Sequence, residues 1–166
     1  FSSEGIVVGQ DKFHIKITNS KEVEVVANGT TLSNNLALNS AQWIHVGAVY
    51  DGSNELLKLF VNGEMVASTS VSGTISDTSL FTIGKNSITN TQFFKGKIDE
   101  VRLFNVALKD SQFQKMVYQE IQDNSSQTRG AIIPKDIPSL PWANLVRYYR
   151  MDNYKDDVID NHTTST

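Results

Sequence analysis

Several features are scarce or absent in this sequence of 166 residues. It has no cysteine, which excludes a disulfide framework, a thiol nucleophile and a thiolate metal site. Its 15 basic and 18 acidic residues give a net charge of −3, without the excess of basic residues that nucleic-acid binding requires. No apolar run approaches the roughly 20 residues of a membrane-spanning helix. The composition therefore indicates a globular protein that neither binds nucleic acid nor inserts into a membrane.

Short β-prone runs separated by turn signals fill most of the chain. Apolar and polar residues alternate in several of them, which is typical of a strand with one buried face. The pairs Asn28-Gly29 and Asn62-Gly63 follow such runs and predict tight turns, because both turn positions need a positive φ. The runs predicted as strands cover residues 13–18, 22–27, 43–50, 56–61, 65–68, 80–83 and 93–104.

The helical period occurs once, late in the chain. Residues 107–121 place apolar side chains at i, i+3 and i+4, namely Phe113, Met116 and Val117, with Asp110 or Ser111 placed to cap the helix. Together with the regularly spaced strands, this predicts an all-β fold: an antiparallel β-sandwich, or jelly roll, with one short late helix.

A change of composition near residue 122 predicts a domain boundary. Residues 122–141 are first polar and then contain all three prolines, which is typical of an extended, semi-rigid linker. Residues 145–151 read as a strand with nothing after it to pair with, and the acidic, Thr-rich end is expected to fray. We predict a domain at 1–121, a linker at 122–141, and the first strand of a following domain with a frayed tail at 142–166.

Five blocks occur in an order that resembles the LamG-like jelly roll of the concanavalin A-like lectin/glucanase superfamily, in its laminin-G and pentraxin-like branch. They are WIHVGAVYDG at 43–52, LKLFVNG at 57–63, LFTIG at 80–84, FKGKIDEVRLFN at 94–105, and the Ala107-Leu108 pair before the helix. The resemblance covers about residues 1–120. In the family several strands precede the Trp43 block, but here we expect one or two, so the resemblance implies that the N-terminal part of the domain is missing. Residues 145–152 resemble the opening strand of another such domain.

Asp99 and Glu100 are the carboxylates to test for chemistry. The alternation slips at this pair, which predicts a bulge or a change of face, and Asp99 shares parity with the apolar Val101 and Leu103. Its carboxylate is therefore expected to point inward, where it must be paired, hydrogen-bonded or bound to a cation. The resemblance implies a structural calcium ligand at Asp99. The competing and favoured interpretation is that Asp99 accepts hydrogen bonds from loop N–H groups, because calcium needs six to eight oxygen ligands.

A glucanase activity is not expected. Retaining members of the superfamily carry a Glu-x-Asp-x-x-Glu strand, but no acid lies two residues before Asp99 and none lies three residues after it. His14 and His45 lack metal-ligand spacing, and Trp43, Phe93, Phe94 and Phe104 are expected in the core. Trp142, Tyr148 and Tyr149 need a cover, either the rest of a following domain or a partner chain.

The resemblance implies a non-catalytic binding or adhesion module of a secreted, multidomain bacterial cell-surface protein. The expected ligand is a carbohydrate or a surface protein. The module also resembles parts of large secreted proteins exported by the type 9 secretion system, some of which act in gliding motility, so a secretion or carrier protein is a further expected partner. The alternatives are a structural spacer repeat and an accessory domain of a glycan-active enzyme.

Overall fold

Antiparallel strands dominate the architecture, with one short helix late in the chain. The computed structural model describes residues 4–39, 41–117, 119–121, 131–133, 142–155 and 158–162. The chain divides into two units, one ending at Lys97 and the other beginning at Ile98. The predicted all-β, jelly-roll class with one short helix is confirmed.

The first unit consists of two antiparallel sheets. Its strands are β1 (Gly5–Gly9), β2 (Phe13–Ile17), β3 (Val23–Ala27), β4 (Thr30–Ser33), β5 (Val46–Asp51), β6 (Leu56–Val61), β7 (Glu64–Ser70) and β8 (Thr82–Ile83). One sheet has the order β4-β3-β2-β1-β8 and the other has the order β5-β6-β7. β3 and β4 of the larger sheet lie against the smaller sheet, so the two form a sandwich.

The core of this sandwich is made by alternate side chains of its central strands. Val23, Val25 and Ala27 of β3 are fully buried, with polar or half-buried residues between them. In β6 the consecutive Leu59 and Phe60 are both fully buried, at the point where the ladder with β7 shifts register. This irregularity turns two neighbouring side chains towards the core, which strict alternation would not allow.

Two turns and one close contact require the residues that the sequence places there. Asn28-Gly29 and Asn62-Gly63 have φ values of 48° and 84°, and of 50° and 84°, so both predicted turns are confirmed. Gly5 in β1 lies against the backbone of Phe94, where an added Cβ would stand 2.6 Å from the Phe94 Cα. Glycine is therefore needed at position 5 for close packing rather than for its φ freedom.

The second unit contains the helix and the remaining strands. These elements are β9 (Val101–Phe104), α1 (Asp110–Gln114), β10 (Gln119–Ile121), β11 (Ala131–Ile133), the 3-10 turn at Trp142–Asn144, β12 (Leu145–Lys155) and β13 (Val158–His162). The sheet order is β13-β12-β9, antiparallel, whereas β10 and β11 pair in parallel. Leu108, Phe113, Met116 and Val117 are buried, as the helical period predicted for the last three.

Several boundaries differ from the prediction. Four strands precede Trp43 rather than one or two, because β1 and β4 were missed. The helix ends at Gln114 and its N-cap is Lys109, not Asp110 or Ser111, and residues 119–121 are a strand. The long run at 93–104 is a strand only from Val101, because the positive φ of Glu100 interrupts the pleat directly before that residue.

The strand expected near the end of the chain exists, but the expectation that it lacks a partner is wrong. β12 pairs with β9 on one side and with β13 on the other. Most of the predicted linker lies outside the described residues, and β11 lies within it. The division into a domain at 1–121, a linker at 122–141 and a following segment at 142–166 stays a prediction.

Candidate binding surface and carboxylate cluster

The loop between β4 and β5 carries an exposed tryptophan. Trp43 has 61% of its surface exposed, so the expectation that it packs in the core is wrong. The strand begins only at Val46, three residues later, and the extended segment before it carries the indole into solvent. Leu36 of the same loop is also exposed. We call residues 34–39 and 41–45 the Trp43 loop.

Both ends of the Trp43 loop are tied to neighbouring turns of the first unit. Asn34 exchanges two hydrogen bonds with Val23: its Oδ1 accepts the Val23 N–H at 2.9 Å and its own N–H donates to the Val23 carbonyl at 3.1 Å. At the other end the Asn62 Oδ1 accepts the His45 N–H at 3.0 Å, and the Asn62 N–H donates to the His45 carbonyl at 2.7 Å. The exposed indole therefore stands on a backbone fixed two residues away.

Polar side chains within the loop lie close to Trp43 in sequence. The Asn39 Oδ1 accepts the Ala41 N–H at 3.1 Å, and the side chains of Asn39 and Gln42 are exposed. An aromatic face bordered by amide groups is chemically suited to a sugar, because the ring covers the C–H face and amides hydrogen-bond hydroxyl groups. The sequence signal that could have found this site is the polar loop directly before the tryptophan.

Carboxylates at the opposite end of the first unit are engaged in holding loops. Asp77 accepts the N–H groups of Lys12 at 2.6 Å and of Ser79 at 2.8 Å, and although burial opposes it, these bonds hold its pKa below the ordinary value. Asp51 accepts hydrogen bonds from Asn54 and Ser53, and the Asn54 side chain chiefly lowers its pKa. These acids stabilise turns, which is the ordinary use of Asp in loops.

The strand changes face at Asp99-Glu100 as predicted, but Glu100 points inward and Asp99 points to solvent, the reverse of the expectation. Glu100 adopts a left-handed φ of 55°, immediately before β9. Asp99 is exposed rather than directed inward, and its Oδ1 accepts the Glu100 N–H at 2.9 Å. The Glu100 carboxylate is the one that turns inward, because the left-handed residue breaks the alternation one position later than the parity argument assumed.

Glu100 forms a polar cluster with Arg102 and Tyr148. The Glu100 Oε2 accepts hydrogen bonds from the Arg102 Nη2 at 2.6 Å and from the Tyr148 hydroxyl at 2.5 Å. The Arg102 guanidinium lies 5.4 Å from the centre of the Tyr148 ring, and its Nη1 donates to the Met116 carbonyl at 2.9 Å. We call Glu100, Arg102 and Tyr148 the Tyr148 cluster.

Burial raises the pKa of Glu100, although hydrogen bonds from Tyr148 and Arg102 act in the opposite direction. Its side chain is 23% exposed and that of Arg102 is 7% exposed. A charged pair this far from water depends on both partners. A carboxylate held by a tyrosine and an arginine in this way is positioned for a structural role rather than as a nucleophile.

The residues that the structure describes do not provide a complete cation site. They contain no group of three or more His, Asp and Glu side chains placed to hold a metal. Asp99 and Glu100 supply two carboxylates at most, fewer than the six to eight oxygens that calcium takes. Calcium at Asp99 stays a prediction.

The other residues considered from the sequence lie apart. His14 Nδ1 lies 3.1 Å from the Gln10 carbonyl and 3.0 Å from that of Asp11, so it ties a turn. Phe93 is exposed, contrary to expectation, while Phe104 packs against Leu145 and Tyr148. The cover expected over Tyr148 is supplied by β9 and its neighbours within the same unit. The side chain of Trp142 lies outside the described residues.

Comparisons with known proteins place the fold in a family. Residues 2–114 match the laminin G family model described as the Concanavalin A-like lectin/glucanases superfamily. The chain is similar in structure to a Bacteroides ovatus protein to which carbohydrate binding is ascribed, with 20% identity and a TM-score of 0.71 over 96% of this chain and 45% of that one. It is also similar to the heptameric SAP-like pentraxin of Limulus polyphemus, with 17% identity and a TM-score of 0.57 over 70% of this chain and 64% of that one.

No curated protein matches the chain in sequence. The chain spans less than two thirds of the length of either similar structure, and at these identities the likeness concerns the fold. In the part of the chain that the structure describes, no helix is long and apolar enough to cross a membrane.

Proposed function

Because the chain belongs to the Concanavalin A-like lectin/glucanases superfamily, we propose that it is a non-catalytic binding module whose ligand is a carbohydrate. The observation that carries this proposal is the exposure of Trp43 on a loop tied at both ends. An indole exposed to water gains free energy when a ligand covers its face, because apolar surface is then removed from water. The carbohydrate binding ascribed to the similar Bacteroides ovatus protein supports the same ligand class.

The absence of catalysis is part of the proposal. Glycoside cleavage by retention needs two carboxylates about 5 Å apart that can reach the substrate. Glu100 is held by Arg102 and Tyr148, and Arg102 itself occupies the position where the catalytic strand of the superfamily has its last glutamate. The fold alone does not confer the activity.

A glycan array with the full chain tests the proposal, with and without calcium. We expect binding to at least one glycan class, lost in Trp43→Ala and retained in Leu80→Ala, which removes a side chain that is 76% exposed elsewhere in the first unit. If no glycan binds under either condition, the carbohydrate proposal fails, and a protein ligand or a spacer role takes its place. Release of sugar from a bound glycan would instead refute the non-catalytic assignment.

The calcium arm of the same array tests Asp99. If Asp99 ligates calcium, chelation and Asp99→Asn weaken glycan binding in parallel, whereas Asp51→Asn, which alters a half-buried residue engaged in a turn, does not change the calcium response. Equal glycan binding by the wild-type chain with and without chelator would refute a role of calcium in binding.

We place the module at the bacterial cell surface or outside the cell, as one part of a larger adhesion protein. Its fold, built from sandwich sheets without cysteine, is compatible with that setting. We further predict that the protein is exported by the type 9 secretion system and acts in gliding motility. Surface labelling of the source cells tests the location, and loss of the label in a secretion-defective strain tests the route.

A further inference from the structure

β12 lies outside the residues that define the family domain, yet it completes a sheet with a strand inside them. The family match covers residues 2–114, which includes β9, whereas β12 begins at Leu145. The two strands pair antiparallel, with Leu145 opposite Phe104 and Tyr148 opposite Arg102. The intervening chain is polar and then rich in proline by sequence, so nothing in its composition forces this pairing.

The pairing is specified by side chains as well as by backbone bonds. Leu145 and Tyr148 are both 4% exposed, although residues three apart in a regular strand point to opposite faces. The ladder shifts register between Leu145 and Arg147, which brings both side chains to the buried face against Phe104. The edge of β9 therefore accepts an apolar residue followed three positions later by a tyrosine.

The Tyr148 cluster adds a polar recognition element at the same edge. The Tyr148 hydroxyl reaches Glu100, and its ring faces Arg102, which in turn holds the Met116 carbonyl beyond α1. Phenylalanine would keep the ring contact but leave the inward carboxylate without its tyrosine donor. At the end of the strand, the Asn105 N–H donates to the Asn144 carbonyl at 3.0 Å, and the side chain amides of the two residues are joined at 2.9 Å.

We propose that the edge of β9 is a strand-acceptor site that takes residues 145–149 of this chain as a separable ligand, recognised through Leu145 and the Tyr148 hydroxyl. The strand is held at β9 by main-chain and side-chain contacts. This mode is β-strand addition, in which main-chain bonds supply affinity and side-chain pockets supply specificity. It does not depend on the ligand of the Trp43 loop.

The test cuts the chain between the two strands after folding. A site-specific protease sequence is inserted between Gln127 and Thr128 of the full chain, the folded protein is cleaved, and the pieces are examined by size exclusion and native mass spectrometry. We expect the two pieces to elute together, although the β10–β11 pair also joins them across the cut. The deciding result is therefore a fluorescent peptide of residues 142–162, which lacks β11 and is expected to exchange into the complex. Absence of peptide uptake would overturn the proposal, whether or not the pieces separate.

Peptide variants test the recognition without altering the fold of the acceptor. A Tyr148→Phe peptide is expected to compete at least about tenfold less well than the wild-type peptide, since it loses a hydrogen bond to a carboxylate. A Leu145→Ala peptide is expected to be weakened similarly. An Arg147→Ala peptide serves as the control, because Arg147 is exposed, and it should compete like the wild type. Equal competition by all four peptides would refute side-chain recognition.

Discussion

Replacing Glu100 by alanine or by glutamine should have very different effects on the β9–β12 pairing. The Glu100 side chain is 23% exposed. Its carboxylate accepts hydrogen bonds from Arg102 at 2.6 Å and from Tyr148 at 2.5 Å. Alanine removes the Glu100 carboxylate from the Arg102 side chain, which is only 7% exposed. Removing one partner of a fully buried pair costs about 3–5 kcal/mol, so the partial exposure of Glu100 lowers our expectation to about 2–4 kcal/mol.

Glutamine should cost much less than alanine. Burial raises the pKa of Glu100, which means that the folded site disfavours the charge and tolerates a neutral group of the same shape. The amide oxygen can accept from Tyr148 and from Arg102, but Arg102 loses its opposite charge, so we expect a loss of about 1 kcal/mol, smaller than that of alanine. The control is Glu64→Ala, which removes an exposed carboxylate of β7 and should change the β9–β12 pairing by less than about 0.5 kcal/mol.

Native-state hydrogen exchange measures this effect where it occurs. The free energy of opening is read from the amides of β9 and β12 in the full chain, with the amides of β6 as an internal reference. Glu100→Ala should lower protection in β9 and β12 and leave β6 unchanged. The reasoning is refuted if alanine and glutamine have equal effects, or if β6 loses as much protection as β12.

Three further predictions concern charge and packing. The pKa of Glu100 is raised in the folded state, so its stabilising contribution is complete below the ordinary pKa of 4.5 and is lost as pH rises through the folded pKa. Hydrogen-exchange protection of β12 should therefore fall over that pH window. Glu100→Gln should remove this pH dependence. Gly5→Ala should lower the free energy of unfolding, measured by denaturant titration, by about 1–3 kcal/mol, because its Cβ would meet the Phe94 backbone. Gly52→Ala is the control and should unfold like the wild type, because its Cβ would meet only a side chain, at 3.4 Å. In the same titration, Phe60→Ala should lower the free energy of unfolding by about 3–5 kcal/mol, and the exposed Val66→Ala by less than about 0.5 kcal/mol. Equal unfolding midpoints for the two variants would contradict the placement of Phe60 in the core.

The sequence predicted the architecture better than the ends of its elements. Alternation and the Asn-Gly pairs carried the strands β2, β3, β6 and β7, because those signals are local. β1 was missed because its sequence, Gly-Ile-Val-Val-Gly, shows no alternation and begins with a glycine whose role is a contact with the distant Phe94. A requirement set by a residue far along the chain leaves no local pattern.

The sites show the same division between local and distant causes. A change of face at Asp99-Glu100 was predicted from parity, but which carboxylate turns inward depends on the left-handed φ of Glu100 and on Tyr148, which is 48 residues away. Trp43 was assigned to the core because its block begins a strand. The structure starts β5 at Val46, and the position of Trp43 follows from the loop bonds to Asn62, which the strand pattern does not encode.

The most direct test of the proposed function is the fluorescence of Trp43 during a glycan titration. The chain has two tryptophans, so Trp142→Phe leaves Trp43 as the reporter. Titration with a glycan that binds on the array should shift its emission to shorter wavelength in a saturable manner, because the sugar covers an indole that is 61% exposed. Binding of that glycan with unchanged Trp43 emission would contradict the placement of the site on the Trp43 loop.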